Sequence, residues 1–457
     1  MRYKIIGVLL LMIAIACNDQ ASKTDSGAVT FNEHIAPIIY TNCTPCHRPG
    51  ESGPFSLTSY AEVKRKAKTI RRVTQSGFMP PWPADPAYRH FVDEKYLSEE
   101  EKNLIAEWVE QGTPEGNSAN KTELPTFTKG TALGEPDLVV AMKEEYLIKG
   151  NNLDNFLWIK LPFEIEQDTF IRAIEFVPGN RKLVHHMNGH LISYKEPEKK
   201  KIVSEGKHWV NSEFVSSQEK LFEEMKIPND DGSYPTLTPL VSSYLPGMLP
   251  TVYPEGIGGY KIYQKGAFLL RDMHYGPTPV DATDLSYFNI YYDKGPPKRP
   301  TLELQMGTLG ISDVVPPLVI PPDTVMTFHS TAVIKHDISL LTLNPHMHLL
   351  GKKFLAYAVT SSNDTIPLIK IDEWDFRWQY NYTFEKMLRI PAGSSIRVEG
   401  TFDNTVSNPN NPHNPPQEVK ERDGSMRTTD EMFQFIFTFL EYKPGDEQIA
   451  LKAKSIK

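Results

Sequence analysis

The chain has 457 residues, 40% of them hydrophobic and 23% charged, with a formal net charge of −8. That length exceeds one ordinary domain and points to about two to four, with apolar content enough for real cores. The acidic residues are scattered rather than massed, which excludes the basic footprint of a nucleic-acid-binding protein.

The N-terminus reads as a targeting segment. Arg2 and Lys4 precede an apolar run over residues 5–16, too short to span comfortably as a mature helix. The stretch Ile13-Ala14-Ile15-Ala16-Cys17 resembles a bacterial lipoprotein box. On that resemblance residues 1–17 are a signal peptide ending at a lipidated Cys17, and residues 18–29 are a polar tether. The protein is then exported and anchored to a membrane by lipid, facing the periplasm or the cell surface. The alternatives are an ordinary signal peptide cut nearby and an uncleaved anchor.

Residues 30–113 carry helical signals. Phe31, Ile35, Ile38 and Ile39 lie at helical spacing, and residues 61–74 form a basic helical stretch. Ser98 and Glu101 match a capping box, and Leu104, Ile105, Trp108 and Val109 form one face before Gly112. Inside this region Cys43-Thr44-Pro45-Cys46-His47 is the C-x-x-C-H haem attachment motif. Two thiols at this spacing can add to the two vinyl groups of one haem, with the adjacent histidine as proximal ligand. A chance pair or a zinc site is the competing reading; the histidine and the lack of a second cysteine pair argue against it. Met79, in Gly77-Phe78-Met79-Pro80-Pro81-Trp82, is the favoured sixth ligand, since a thioether raises a cytochrome's potential. His34 and His90 are its rivals. The region resembles a small all-α class I cytochrome c domain with one covalent haem c.

A polar linker over residues 114–135 follows. From residue 136 short apolar or alternating runs recur between turn signals, the rhythm of antiparallel β-sandwiches. The length suits two sandwiches, residues 136–298 and 299–457, with the Pro-rich stretch at 295–300 between them. If Cys17 carries lipid and Cys43 and Cys46 carry haem, none of the three cysteines remains for a disulfide.

Ten histidines lie beyond residue 100, and five fall into ligand-like groups. His185 and His186 are adjacent, so both can serve one metal only if the strand bends there. His274 closes an apolar run. His346 and His348 are two apart, on one face of a strand and near enough to chelate. Met432 lies opposite the phenylalanines of Phe433-Gln434-Phe435-Ile436-Phe437-Thr438-Phe439; as a gap filler it would be equally ordinary. His190, His208, His329, His336 and His413 have no partner at ligand spacing and read as surface, packing or supporting residues.

His-His-Met at 185–187, His-Tyr-Gly at 274–276, His-x-His-x-x-Gly at 346–351 and Asp-Glu-Met at 430–432 occur in that order. Together they resemble the copper type II, ascorbate-dependent monooxygenases, which include peptidylglycine α-hydroxylating and dopamine β-monooxygenase. The resemblance implies two jelly-roll-like sandwiches and two copper ions. One ion would be held by His185, His186 and His274, the other by His346, His348 and Met432. O2 and the substrate C–H bond would meet at the methionine site, and the three-histidine site would supply the second electron. The partners implied are a small organic substrate, O2 and an electron donor, either a protein or an ascorbate-like reductant.

Departures from the family narrow this. Asn344 stands where the peptide-amidating enzyme has a carboxylate-binding arginine, and Gln434 and Ile436 replace its Asn and Tyr. Three substrate contacts are therefore missing, which argues against peptide amidation and leaves the substrate open. The haem region suggests electrons delivered within the chain. The competing functions are a non-catalytic electron-transfer or copper-binding haem protein, and a carbohydrate- or partner-binding sandwich with incidental histidines.

Overall fold

The computed structural model describes residues 27–127, 131–194, 205–211, 217–250, 252–422 and 427–452. The signal peptide, Cys17 and most of the tether lie outside the described residues. Two sets of antiparallel sheets dominate the rest.

In the first set, a five-stranded sheet runs in the order Trp209–Asn211, Asn155–Glu164, Lys265–Tyr275, Val184–Tyr194, Thr236–Tyr244. A four-stranded sheet, Leu138–Ala141, Tyr287–Tyr292, Thr169–Val177, Tyr260–Ile262, packs on it. Leu157, Leu161, Met187, Phe268 and Phe288 fill the space between. In the second set the sheets are Leu302–Gly307, Phe433–Glu441, Ile338–Met347, Tyr382–Ile390 and Val325–Val333, Ser395–Asp403, Gly351–Val359, Thr365–Ile371. Val325–Val333 alternates buried and exposed residues as an edge strand with one wet face should. Ile338–Met347 is central, paired on both sides and buried along nearly its whole length.

Four α-helices occur among the described residues: α1, Ala36–Asn42; α2, Tyr60–Gln75; α3, Glu99–Glu110; and α4, Gln218–Glu224. Ser59 caps α2, which buries Val63, Ala67, Ile70 and Thr74. Ser98 and Glu101 cap α3 reciprocally, Ser98 N–H to Glu101 at 2.9 Å and Glu101 N–H to Ser98 at 3.2 Å. Together with Phe31, Ile35 and Ile39 these helices close a small core on Trp108.

The expected all-α cytochrome c domain is nevertheless overturned. The protein is mostly β-sheet, its helices are short, and the N-terminal region is not a self-contained helical unit. Residues 76–97, rich in proline and unable to continue a helix, leave the helices and add to the second sandwich. Ala84 bridges Ile371 and Phe91 bridges Phe384. Asp85 N–H donates to Lys370 O and Val92 N–H to Thr383 O, each at 2.8 Å. Ala84 and Phe91 are buried in the second sandwich's core, not in the helical one. Burying Phe91 there contributes about 1.5–3 kcal/mol, so this segment holds the helices against the sheets.

Candidate metal centres

His185 and His186 lie near the start of Val184–Tyr194, beside Lys265–Tyr275, which carries His274. His186 pairs directly with His274, and the register shifts on both sides of His186. Neighbouring side chains on a regular strand point to opposite faces; the irregularity turns His185 back toward its neighbours. Its ring lies 5.5 Å from that of His186 and 5.0 Å from that of His274.

The Nδ1 atom of His186 stands 3.3 Å from that of His185 and 3.4 Å from that of His274. One ring nitrogen from each of the three residues lies within 4.8 Å of the other two. Imidazole nitrogens sharing one ion at about 2.0–2.1 Å stand about 3.3–3.6 Å apart, so the two short separations fit a common metal. Asp154 takes up the remaining His274 nitrogen, Nε2 to Oδ1 at 2.7 Å. That hydrogen bond holds the Asp154 carboxyl below its usual range and leaves His274 Nδ1 as a bare donor, the arrangement of a carboxylate-oriented metal ligand. Burial pushes His185 down to about 4 and His186 well below the ordinary histidine value. Phe156 stacks on His274 at 4.4 Å and fixes its plane. Lone pairs aimed at one point repel unless a cation sits between them, so the donor set fits copper or another imidazole-preferring metal.

His346 and His348 close the central strand of the second sandwich, their rings 5.1 Å apart. His346 is in register with Gln434 and Met347 with Phe433, which brings Met432 opposite His348. His346, His348 and Met432 line one small cavity of about 30 Å³ together with His186 and Arg271. His346 Nδ1 bonds Gln379 Oε1, and His348 Nδ1 lies 2.9 Å from the Asp430 carbonyl. These contacts engage Nδ1 of both rings, the arrangement in which Nε2 is the metal-facing nitrogen. Burial drives His346 down to about 3.

Glu431 ties this site together. Its carboxylate accepts the backbone N–H groups of His348 at 2.9 Å, Leu350 at 2.7 Å and Met432 at 3.2 Å. Burial pushes its carboxyl up to about 8 against the pull of those donors.

Phe376 joins the clusters: its ring lies 5.9 Å from His186 and 5.6 Å from His348. Phe376, Trp378, Gln379 and Tyr380 belong to one turn between Thr365–Ile371 and Tyr382–Ile390. None of these, nor Asp154, was singled out from the sequence, and Glu431 entered only as part of Asp-Glu-Met, with no role given to it. The signal available was an aromatic residue at every second position, Trp374, Phe376, Trp378, Tyr380, Tyr382 and Phe384. The positions that depart from the amidating enzyme are occupied structurally: Asn344 donates to Tyr380 O at 3.2 Å and Gln434 to Thr308 O at 2.8 Å.

Cys43 ends α1, and its carbonyl accepts from Cys46 N–H at 3.2 Å and His47 N–H at 2.8 Å, a single helical turn. Neither thiol is in a disulfide, and burial pushes Cys43 up to about 12. His47 Nδ1 lies 3.0 Å from the Phe55 carbonyl, leaving Nε2 for an iron. A side chain at Gly53 would strike His47 Nδ1 at 2.8 Å, so only glycine permits this approach. Cys46 borders a cavity of about 540 Å³ between the helices and both sandwiches, walled also by Lys95, Tyr244, Met248 and Tyr380. Its size suits a large organic group.

Met79 is half-buried after α2 and does not line this cavity, whereas Pro80, Pro81 and Trp82 do. Of its rivals, His34 Nδ1 is 3.1 Å from Thr30 N, and exposed His90 pairs with Glu94 at 3.1 Å. Among the other histidines, burial pushes His190 well below the ordinary histidine value and lowers His208, and His329 faces outward from an edge strand.

No family model matches the chain, and no curated protein matches it. Among solved structures the chain is similar to the infectious bursal disease virus VP2 subviral particle, with TM-score 0.18 and 8% identity over 72% of this chain and 77% of that one. It is similar to the Macrobrachium rosenbergii nodavirus with TM-score 0.14 and 10% identity over 70% and 96%. Likenesses this slight carry no argument.

Proposed function

We propose that the chain is a copper-dependent monooxygenase that hydroxylates a C–H bond of an organic substrate and receives its electrons through a covalently attached haem. The observation that carries this reading is the convergence of His185, His186 and His274 on one point, one phenylalanine ring away from His346, His348 and Met432. One metal site alone would suit storage or structure; two unlike sites one ring apart suit a reaction that consumes two electrons.

His185, His186 and His274 would hold one copper through imidazole nitrogen, with Asp154 fixing the tautomer of His274. His346 and His348 would present Nε2, and Met432 its thioether, a set that favours Cu(I). Copper, when bound, would supply O2 activation, and the net change would be R–H + O2 + 2e⁻ + 2H⁺ → R–OH + H2O. Phe376, Phe156 and Trp158 line the space between the sites. Cys43 and Cys46 would bear the haem thioethers, and His47 and Met79 would be the candidate iron ligands. An exported lipoprotein anchored at Cys17 suits covalent haem attachment.

A second reading is favoured by one observation. The cavity between the copper ligands, about 30 Å³, holds a water or two but no organic substrate. A non-catalytic copper and haem electron carrier would need no larger space. Metal analysis with O2 uptake separates the two. The enzyme reading requires two coppers and one haem per chain and reductant-dependent O2 consumption that Met432→Leu abolishes with haem spectra intact. Full metal loading without O2 uptake would favour the carrier.

A further inference from the structure

Between the haem motif and the three-histidine cluster the packing is not generic apolar core. Tyr380 walls the large cavity that Cys46 borders. The Lys95 ammonium sits 5.4 Å over the Tyr380 ring and donates to Gly247 O at 2.7 Å. Gly247 is the residue against which Cys46 Sγ packs, closely enough that a Cβ there would meet the sulfur at 2.9 Å. From Tyr380 the next ring is Trp378, 6.5 Å away and nearly parallel at 14°. From Trp378 the next is His185, at 5.6 Å. From Cys46 the Gly247 backbone and Lys95 lead to Tyr380, and from Tyr380 to His185 each step is a contact between rings.

We propose that Tyr380 and Trp378 are the electron path from haem bound at Cys46 to the metal held by His185. The inference rests on the haem-fed copper reading above. Tunnelling decays steeply across empty space and less across packed, polarisable rings, so a route made of consecutive aromatic contacts outcompetes one through aliphatic core. Each passage moves one electron: Fe(II) is oxidised to Fe(III), Cu(II) is reduced to Cu(I), and no atom or proton is exchanged. Tyr380 O–H donates to Pro81 O at 2.8 Å and stays protonated, so the ring serves as a bridge and no further oxidant is needed.

The turn is built to hold this geometry. Trp378 N–H donates to Asp375 O at 2.9 Å, the Gln379 amide donates to Phe376 O at 2.8 Å, and Asn344 donates to Tyr380 O. Arg377 clamps Asp375 through Nε and Nη2. A turn from the second sandwich is thereby placed against a ligand of the first, and its backbone cannot relax away from His185 without breaking these bonds.

The test uses the full chain carrying haem and loaded with copper(II) sulfate, mixed anaerobically with less than one equivalent of dithionite. The haem α-band reports reduction and reoxidation, and the cupric EPR signal reports arrival of the electron. Trp378→Leu and Tyr380→Leu are each expected to slow haem reoxidation by roughly tenfold or more. Trp378→Phe and Tyr380→Phe, which keep a ring, should remain near wild type. Unaltered haem spectra and copper content show that each variant is folded. If Trp378→Leu binds both metals and reoxidises its haem at the wild-type rate, the path is wrong while the haem-fed reading stands. If wild-type haem stays reduced beside bound Cu(II), both fall.

Discussion

The two histidine clusters differ in what holds them. In the first sandwich the three histidines sit on two paired strands, and an irregularity at His186 brings three nitrogens together with Asp154 as a polar support. In the second, His346 lies on a strand and His348 just past its end. Their orientation depends on groups from elsewhere, Gln379, the Asp430 carbonyl and the Glu431 carboxylate. The first site is made by strand geometry and the second by a buried polar network, so they should fail differently when altered.

The largest effect is expected from removing a ligand at the convergent site. His186→Ala or His274→Ala should abolish copper there and halve the copper count per chain, leaving the second site loaded. Loss of both coppers from either variant would show that the sites do not fill independently. Next is Glu431→Ala, which strands three buried N–H donors at about 1–3 kcal/mol each. Thermal unfolding should drop sharply, with copper lost from the histidine–methionine site first. A variant melting like wild type would remove Glu431 from that role. Asp154→Asn should be milder. Losing a supporting carboxylate weakens metal binding about 10–100-fold, measurable by competition with a chelator.

The smallest effect concerns pH. An ordinary histidine titrates at about 6.5, but burial holds His185 at about 4. In the folded chain protons therefore compete with copper at His185 only as pH falls through about 4. The unfolded chain takes up that proton already near 6.5. The stability of the metal-free fold due to His185 is thus complete above that value and lost as pH falls toward 4. A His185 imidazole that titrates near 6.5 by NMR in the folded, metal-free chain would contradict its burial.

Much of this was legible in the sequence because it is local. Cys43, Cys46 and His47 make one helical turn, and the Ser98–Glu101 cap spans three residues. The pair His346 and His348 needs only strand periodicity, and the bend that adjacent His185 and His186 require is present. What was not legible depends on partners far apart in the chain. Residues 76–97 look like an internal loop of a helical domain until Ala84 finds Ile371 and Phe91 finds Phe384. Glu431 belongs to Asp-Glu-Met in the sequence, but its role shows only when the backbone N–H groups of His348 and Leu350 close on it. The aromatic alternation at 374–384 was visible as a pattern, but nothing local says that Phe376 and Trp378 reach a histidine cluster in another sandwich.

The most direct test is copper counting by metal analysis on the haem-bearing full chain, beside its His274→Ala and Met432→Leu variants. The account predicts two coppers in the wild type and one in His274→Ala. It also predicts a Met432→Leu protein whose three-histidine EPR signal is unchanged. A wild-type chain that binds no copper, or a single copper that His274→Ala leaves in place, would contradict it.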